Sequence, residues 1–369
     1  MKLLQIKRDV LLKPLQAVSG IVEKRHTLPI LSNVLIRRKQ RSLSLIATDL
    51  EIQVCTGCDD LEAGGEEIAL TVSARKLQDI LRALPEDSET TLDIQNNRLQ
   101  VRAGKSRFNL QTLPANDFPT LAEPGTVLAT VRLGQKELRE RLLLVQYSMA
   151  QQDIRYYLNG LLLVLEEDQM RLVATDGHRL SYTGGQITTQ QQKTEVILPR
   201  KAVLELGKLL EMTDEPVEVE VYAAQVKFRF GSVELVTKII DGKFPDYTRV
   251  IPVNYQKQIS LDRLVLLQAL QRAAILSNEK FRGVRWVLTA NSLRISCTNN
   301  EQEEAQEELE VDYAGEPLDV GFNITYLLDV LNNVHEQTVD CAFGDANSSM
   351  LMTVPERKEF KYVVMPMRI

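Results

Sequence analysis

The segment MRLVATDGHRLS, Met170–Ser181, decides the fold because the chain contains this pattern more than once. The segment LSLIATDLEIQV, Leu43–Val54, has the same apolar frame, and Asp49 and Asp176 stand 127 residues apart. A weaker third copy, LRISCTNNEQE, places Asn299 a further 123 residues along the chain. A phrase that recurs at about one third of a 369-residue chain predicts three copies of one structural unit.

Two other features recur with the same period. A phrase with the spacing of an amphipathic helix follows in each copy, at Val72–Pro85, Leu198–Glu211 and Phe322–Val334. A proline stands towards the end of each copy, at Pro119, Pro245 and Pro366. The polar, turn-rich stretches after the first two prolines predict domain boundaries that divide the chain into residues 1–124, 125–253 and 254–369.

Each copy is predicted to be an α+β domain. The apolar residues of the helical phrase repeat at i, i+3, i+4 and i+7, as in Leu77, Ile80, Leu81 and Leu84. Ser73 and Asn323 are the expected N-caps of the helices that come after them. The predicted strands alternate apolar and polar residues. We therefore expect two helices to cover one face of a mainly antiparallel sheet in each of three tandem domains.

The opening segment also resembles an active site, because Asp176, His178 and Ser181 offer an acid, a base and a hydroxyl. The first copy, however, has Glu51 in place of His178, and the third has Asn299 in place of Asp176. Since the apolar frame persists while the reactive residues change, we predict a structural turn in which Asp176 caps backbone groups. No catalytic residue, metal site or cofactor is expected, although an enzyme that uses Asp176 and His178 stays an alternative at this point.

The composition is that of an ordinary globular protein, with 44% hydrophobic and 25% charged residues. The sequence has no run of about 18 apolar residues, and its N-terminal segment has no features of a secretory signal. The four cysteines, which include the pair Cys55 and Cys58, are too few for a disulfide scaffold and lack the further ligands of a zinc site. We therefore expect a cytoplasmic protein with reduced thiols and no membrane partner.

The distribution of charge points to a polyanion, although the net charge of −6 does not. Basic residues are concentrated in the predicted helices, whereas acidic residues crowd strands and loops such as EQEEAQEELE. No base-reading motif is present, so phosphate contacts that ignore the base sequence are predicted. The helical residues expected to face DNA are Arg75, Arg82, Arg200 and Lys201. Two alternatives remain: ordinary solvated helix faces, and a scaffold that binds only proteins.

Seven phrases in order now carry a family resemblance: LLKPLQAVSG, TLPILSNVL, QDIRYYLNG, VATDGHRL, DGKFPDYTRV, RAAILSNEKFRGVR and YVVMPMRI. On these, the chain resembles the bacterial DNA polymerase III beta subunits, the sliding clamps, from end to end. The resemblance implies a processivity factor rather than an enzyme, built as a head-to-tail homodimeric ring of six domains. Domains roughly 35 Å in diameter would leave a hole in such a ring wide enough for a DNA duplex.

The resemblance also implies partners and binding residues. The partners are double-stranded DNA, the DNA polymerase III catalytic subunit, the clamp loader, and other polymerases and repair proteins that bind through short peptides. DNA contacts are implied for Arg25, Tyr156 and Tyr157. A peptide cleft between the second and third domains, with Arg179 and Arg249 at its rim, is implied for Leu158, Thr175, Gly177, His178, Arg179, Leu180, Pro245, Arg249, Val250, Ser349, Val363, Val364, Met365, Pro366, Met367 and Arg368.

A dimer interface between unlike surfaces is predicted from charge and apolarity. The third copy contains an acidic run that we expect to need basic partners on another copy, with Glu301, Glu303 and Glu307 as its interface residues. In a head-to-tail ring the third copy meets the first, where Lys76 and Arg107 stand near Phe108. Ile275 and Leu276 would supply the apolar centre beside Phe108. Because surface ion pairs contribute only about 0–1 kcal/mol each, the apolar contact should dominate.

Overall fold

The computed structural model describes residues 2–23, 28–59, 61 and 67–369. The chain divides into two compact units, Met1–Glu137 with Leu204–Ile239, and Leu138–Val203 with Ile240–Ile369. Helices α3 (Gln135–Val145) and α4 (Arg200–Leu209) contain points where the chain passes from one unit to the other. Every strand pair in both units is antiparallel, which confirms the α+β prediction.

The first unit contains one sheet with helices α1 (Arg8–Ser19) and α2 (Ala74–Ala83). Its strands are β1 (Lys2–Lys7), β2 (Asn33–Lys39), β3 (Ser42–Thr48), β4 (Ile52–Cys58), β5 (Ile68–Ser73), β6 (Glu89–Gln95), β7 (Arg98–Ala103), β8 (Ser106–Pro114), β9 (Val127–Gly134), β12 (Pro216–Tyr222), β13 (Gln225–Phe230) and β14 (Val233–Lys238). Their order is β1-β6-β7-β8-β5-β2-β3-β4-β14-β13-β12-β9. Because β4 pairs with β14, strands of the first and second sequence copies share this sheet.

The second unit contains two sheets with helices α5 (Arg263–Ala274) and α6 (Ile324–Asn333). The strands of the six-stranded sheet, in order, are β10 (Gly160–Thr175), β11 (Arg179–Pro199), β22 (Arg357–Val364), β21 (Met350–Val354), β20 (Thr338–Phe343) and β15 (Lys257–Asp262). The strands of the four-stranded sheet, in order, are β18 (Glu304–Glu310), β17 (Ser292–Thr298), β16 (Gly283–Thr289) and β19 (Leu318–Asn323). The pairing of β11 with β22 again joins strands of two successive copies.

The predicted helix stripes form part of the core. On α2, Leu77 and Leu81 are fully buried, because they lie one turn apart on the face that the period of 3.6 places together. On α6, Leu327 and Leu331 occupy the equivalent positions. Removing such a leucine side chain typically costs about 2–5 kcal/mol of the free energy of unfolding. The helices therefore hold each sheet in place through the stripes that the sequence predicted.

Only one of the two predicted N-caps forms. The side chain of Asn323 accepts a hydrogen bond from the Thr325 backbone N–H, which confirms that prediction. The prediction for Ser73 is wrong, because its side chain makes no capping hydrogen bond to α2. The first turn of α2 carries two basic residues and no acidic one, so no local carboxylate interacts with its unpaired backbone N–H groups either.

Candidate functional site

The segment that resembles an active site forms the tight turn between β10 and β11. Oδ1 of Asp176 accepts hydrogen bonds from the backbone N–H groups of His178 at 2.9 Å and Arg179 at 3.1 Å. The Thr175 hydroxyl donates to the Arg179 carbonyl at 2.5 Å and accepts from the Gly177 N–H at 3.1 Å. Gly177 has φ of +88°, a left-handed conformation that favours glycine. The acid of this turn is therefore occupied by backbone donors.

The same turn recurs in the other two copies. Oδ1 of Asp49 accepts from the N–H groups of Glu51 at 3.0 Å and Ile52 at 2.8 Å. In the third copy, Oδ1 of Asn299 accepts from the N–H groups of Glu301 at 3.0 Å and Glu303 at 2.9 Å. The prediction of a structural turn with a capping side chain is thus confirmed. The capping oxygen persists in all three turns, while the residues around it change.

Arg179 is held inside the protein rather than at a rim. Its side chain is 9% exposed, and its guanidinium donates to Asp176 at 3.1 Å, to Asp329 at 2.6 Å and to the Tyr147 carbonyl at 2.5 Å. The guanidinium carbon also lies 4.4 Å from the ring centroid of Tyr326. Burial alone lowers the pKa of Arg179. Its interactions with Tyr362, Asp176 and Asp329 raise the pKa by more, so the pKa lies above the ordinary arginine value and the group stays charged. The expectation that this side chain stands at the rim was wrong, because its charge is neutralised internally.

A mostly apolar cavity of about 200 Å³ opens beside this turn. Its floor includes Leu180 and Val363, which belong to a buried apolar cluster that also contains Leu162 and Val173. Met365, 45% exposed, forms part of its wall, and the backbone N–H of Met365 donates to the His178 carbonyl at 2.9 Å. The lining residues are Arg155, Tyr157, Leu158, Thr175, Gly177, His178, Arg179, Leu180, Pro245, Tyr247, Val250, Val363 and Met365.

Most residues that the resemblance assigns to a peptide cleft are therefore brought together, but several are not. Val364 is fully buried, and Arg249 is highly exposed and pairs with Asp246 at 2.9 Å. Ser349 and Pro366 lie outside the lining of the cavity. Met367 and Arg368 line a different groove, of about 680 Å³. Consecutive tail residues diverge because the chain leaves β22 and crosses to another sheet.

Sequence reasoning missed three residues of the cavity wall. Arg155 and Tyr247 were not predicted to lie there, and Tyr157 was assigned to DNA instead. Tyr247 stands two residues after Pro245, so its position in the phrase DGKFPDYTRV was the available signal. Nothing in the local pattern distinguishes Tyr157, a wall residue packed against the buried cluster, from Tyr156, which is 58% exposed.

The residues predicted to contact DNA occupy different environments. Arg75 and Arg82 are exposed on α2, opposite its buried leucines. Arg200 is half-buried and donates to the Met149 carbonyl at 2.9 Å, and burial together with the charge of Arg179 lowers its pKa. Lys201 is half-buried next to it. Arg25 lies outside the described residues, and the DNA assignments stay predictions.

The residues predicted for a dimer interface include exposed apolar side chains. Ile275 is 78% exposed at the end of α5, and Leu276 and Phe108 are half-buried. The acidic run is not as isolated as expected. Glu307 forms a bidentate ion pair with Arg272 at 2.6 and 2.8 Å, and that hydrogen bonding lowers the pKa of Glu307. Glu301 and Glu303 accept hydrogen bonds from the Asn299 amide, and the assignment of these residues to a dimer interface stays a prediction.

Possible metal ligands and thiols are spread over the described part of the chain. Its His, Cys, Asp and Glu side chains form no group of three or more that could hold a metal ion. Cys55 and Cys58 are free thiols, and burial raises the pKa of both. In the same residues, no helix is long and apolar enough to cross a membrane.

Comparison with known families matches the three copies one by one. Family models for the N-terminal, central and C-terminal domains of the DNA polymerase III beta subunit match residues 1–122, 132–246 and 248–368. The prediction of three tandem domains is therefore confirmed.

Full-length relatives and solved structures agree with these matches. The beta sliding clamps of Pseudomonas putida and Escherichia coli K12 are 46% and 43% identical to the chain, and 99% of each sequence is covered. A crystal structure of the Pseudomonas aeruginosa DNA polymerase sliding clamp with ligand gives a TM-score of 0.95 at 44% identity, with both chains fully covered. The Pseudomonas aeruginosa clamp bound to griselimycin gives 0.94 at 44% identity over 99% of both chains. The chain belongs to the DNA polymerase III beta subunit family, the DNA sliding clamps.

Proposed function

We propose that two copies of this chain assemble head to tail into a ring around duplex DNA, and that the cavity beside Thr175–Arg179 binds peptide segments of partner proteins. The chain is a DNA sliding clamp, and the subunit is non-catalytic. The enzyme alternative is thereby rejected, in keeping with an Asp176 carboxylate that is saturated by backbone N–H groups and Arg179. The proposed partners are duplex DNA, the DNA polymerase III catalytic subunit, the clamp loader, and other polymerases and repair proteins.

The proposal for peptide binding rests on the apolar cavity. Its apolar floor suits a leucine or phenylalanine side chain, and burying such a side chain contributes about 1.5–3 kcal/mol. Met365 in the wall is unbranched and flexible, so the wall can adapt to anchors of different shape. His178 and Arg155 add polar groups at the same cavity. Partners that share this adaptable cavity compete for it.

The repeat supports a specific arrangement for the dimer. Residues 52–55 of β4 pair with residues 234–237 of β14, and residues 179–182 of β11 pair with residues 361–364 of β22. Each of these pairings comes directly after a capped turn. The equivalent segment after the Asn299 turn begins at Glu303, and in the described residues β18 lies at the edge of its sheet.

The edge that would complete the third pairing lies on β8. Of its residues, 112–114 pair with β5, whereas 106–111 pair only with β7 in the described structure. The bridges of Leu113 with Thr71, Ile240 with Ile197 and Met367 with Gly321 align the three last strands. By that alignment, residues 107–110 of one protomer pair antiparallel with residues 303–306 of its partner, which sets Phe108 opposite Ala305. Ile275 and Leu276 would then cover Phe108.

A matched pair of valine substitutions tests the proposed function. Val250 lines the cavity and is 40% exposed, whereas Val253 is 76% exposed and does not line it. A labelled six-residue peptide with a polar first residue and a Leu-Phe end is titrated into the full chain. Val250→Asp should weaken binding at least tenfold, because a carboxylate enters an apolar site, and Val253→Asp should change it less than twofold. Equal affinity of the two variants would reject the cavity as the peptide site.

A further inference from the structure

The last five residues cross from one sheet to another. β22 ends at Val364 in the six-stranded sheet, and Met365 then donates its N–H to the His178 carbonyl at 2.9 Å. Two residues later, Met367 donates its N–H to the Gly321 carbonyl at 2.8 Å, as an isolated bridge to β19 of the four-stranded sheet. Met365 is thus a wall residue of the peptide cavity that is held between two backbone anchors.

The anchor at Gly321 depends on the absence of a side chain. A Cβ added at Gly321 would lie 2.5 Å from Cδ1 and Cγ1 of Ile369 and 2.6 Å from the carbonyl oxygen of Met367. The Ile369 side chain could rotate away, but the Met367 oxygen belongs to the backbone, so the tail itself would have to move. Gly321 has no positive φ that would explain a glycine at this strand position.

Gly283 provides an internal comparison on the neighbouring strand. A Cβ added there would lie 3.5 Å from the same Cδ1 and Cγ1 atoms of Ile369, an ordinary van der Waals distance. Both glycines lie in paired strands, since Gly283 faces Asn323 and Gly321 faces Arg285 in the register of β16 and β19. Alanine at Gly283 should therefore leave the tail in place, whereas alanine at Gly321 should displace it.

Pro366 transmits such a displacement to the cavity. Its ring fixes its own φ near −65°, and it also restricts the backbone of the preceding residue, Met365. A segment of Met365, Pro366 and Met367 has few soft torsions with which to absorb a shift at Met367. A movement of the tail at Gly321 should therefore reach Met365.

We propose that Gly321 is a positioning residue for partner binding, which holds the tail through Met367 and Ile369 and thereby sets the Met365 wall of the peptide cavity. Gly321 does not line that cavity; it lines the separate groove with Met367 and Ile369. The inference rests on the proposed peptide function. It adds that the affinity for partners depends on a contact outside the cavity.

Binding of the labelled Leu-Phe peptide and of griselimycin to full-length variants tests this proposal. Gly321→Ala should weaken binding of both probes about fivefold to twentyfold, while Gly283→Ala stays within twofold of the unchanged chain. The ¹³C-methyl NMR signal of Met365 should shift in Gly321→Ala and not in Gly283→Ala. Unchanged affinity and an unchanged Met365 signal in Gly321→Ala would overturn the proposal.

A double-mutant cycle separates positioning through Met365 from a general structural effect. In a Met365→Ala background, Gly321→Ala should have no further effect on peptide affinity, because the wall that it positions is absent. Effects that multiply would overturn the proposal. If Met365→Ala and Val250→Asp leave affinity unchanged, the proposed function fails; if they weaken binding and Gly321→Ala does not, only this inference fails.

A second variant covers the case in which Gly321→Ala destabilises β19. Met367→Pro removes the N–H that bonds to the Gly321 carbonyl and changes no residue of β19 or β22. It should weaken peptide binding as Gly321→Ala does, with the thermal midpoint of the unchanged chain. Full affinity in Met367→Pro would contradict the proposal whatever the stability of Gly321→Ala.

Discussion

The turns Thr48–Ile52 and Thr175–Arg179 share one hydrogen-bonded backbone conformation but have different roles. In both, a threonine hydroxyl donates to the carbonyl four residues ahead, and an aspartate caps two N–H groups. The first ends in Ile52, which is 1% exposed in the core. The second ends in Arg179, which binds two carboxylates, and it borders an apolar cavity. The fold repeats the turn, and the side chains around it decide what the turn does.

The segment that follows each junction strand differs between the copies. β4 pairs with β14, after which the chain continues for more than a hundred residues. β11 pairs with β22, after which Met365 forms part of the wall of the cavity. The third turn leads into β18, which has no second partner strand among the described residues. Three equivalent positions thus serve an internal junction and, by our proposals, a peptide cavity and the dimer contact.

The largest expected effect concerns the proposed dimer contact beside the third turn. Replacing Ile275 with Asp and Leu276 with Ala should weaken the dimer about a thousandfold, because a charge replaces the apolar centre of the interface. Sedimentation should then give the mass of one chain at micromolar concentration. Val253→Asp, at an equally exposed valine, should stay dimeric. A double variant that sediments as a dimer would break the equivalence of the three turns.

The next effect concerns the tail after β22. Deleting Met365–Ile369 should weaken peptide binding by about 3 kcal/mol, which is more than a hundredfold. The deletion removes a wall of the cavity but no residue of the proposed dimer strands, so the mass by sedimentation should stay that of two chains. Titration of the labelled peptide measures the loss. Unchanged affinity with an intact dimer would place the peptide elsewhere.

The sequence predicted the repeated scaffold well, for a physical reason. Apolar stripes such as Leu77 with Leu81, and capping residues such as Asp49 and Asp176, act within one element or one turn, so their spacing is visible in the sequence. The environment of Arg179 was not predictable in this way. Its partners Tyr147, Tyr326 and Asp329 are 32, 147 and 150 residues away, and only the folded chain brings them together.

The tail shows the same limit at shorter range. Val363, Met365 and Met367 alternate along one segment, and the sequence reasoning assigned them to a single cleft. The structure keeps Val363 and Met365 at the cavity but separates Met367 from them, because β22 ends at Val364 and Met367 bridges to Gly321. Pro366 marks the end of the strand near Val364 in the sequence, but no local signal predicts that Met367 bridges to Gly321, which lies 46 residues away.

A smaller effect tests the comparison of the two turns directly. Asp49→Ala and Asp176→Ala each remove a side chain that caps two N–H groups, so each should lower the free energy of unfolding by about 1 kcal/mol in urea titrations. Only Asp176→Ala should also weaken peptide binding, about tenfold, because it releases His178 and Arg179 at the cavity. Equal peptide affinity in the two variants would mean that the turn acts only as a scaffold.

The smallest effect compares two arginines that were predicted to face DNA. Arg75 is exposed on α2, whereas Arg200 is half-buried and donates to the Met149 carbonyl. If Arg75 contacts phosphate, Arg75→Gln should lower the slope of log affinity against log salt by about 1 on linear duplex. Arg200→Gln should leave that slope unchanged and lower the thermal midpoint instead, because it releases a buried carbonyl.

Both variants should stay on closed circular DNA at a salt concentration that dissociates them from linear DNA, since a closed ring is held on the circle by topology. Release of either variant from the circle at the same salt as from linear DNA would show that contact, and not enclosure, retains the protein.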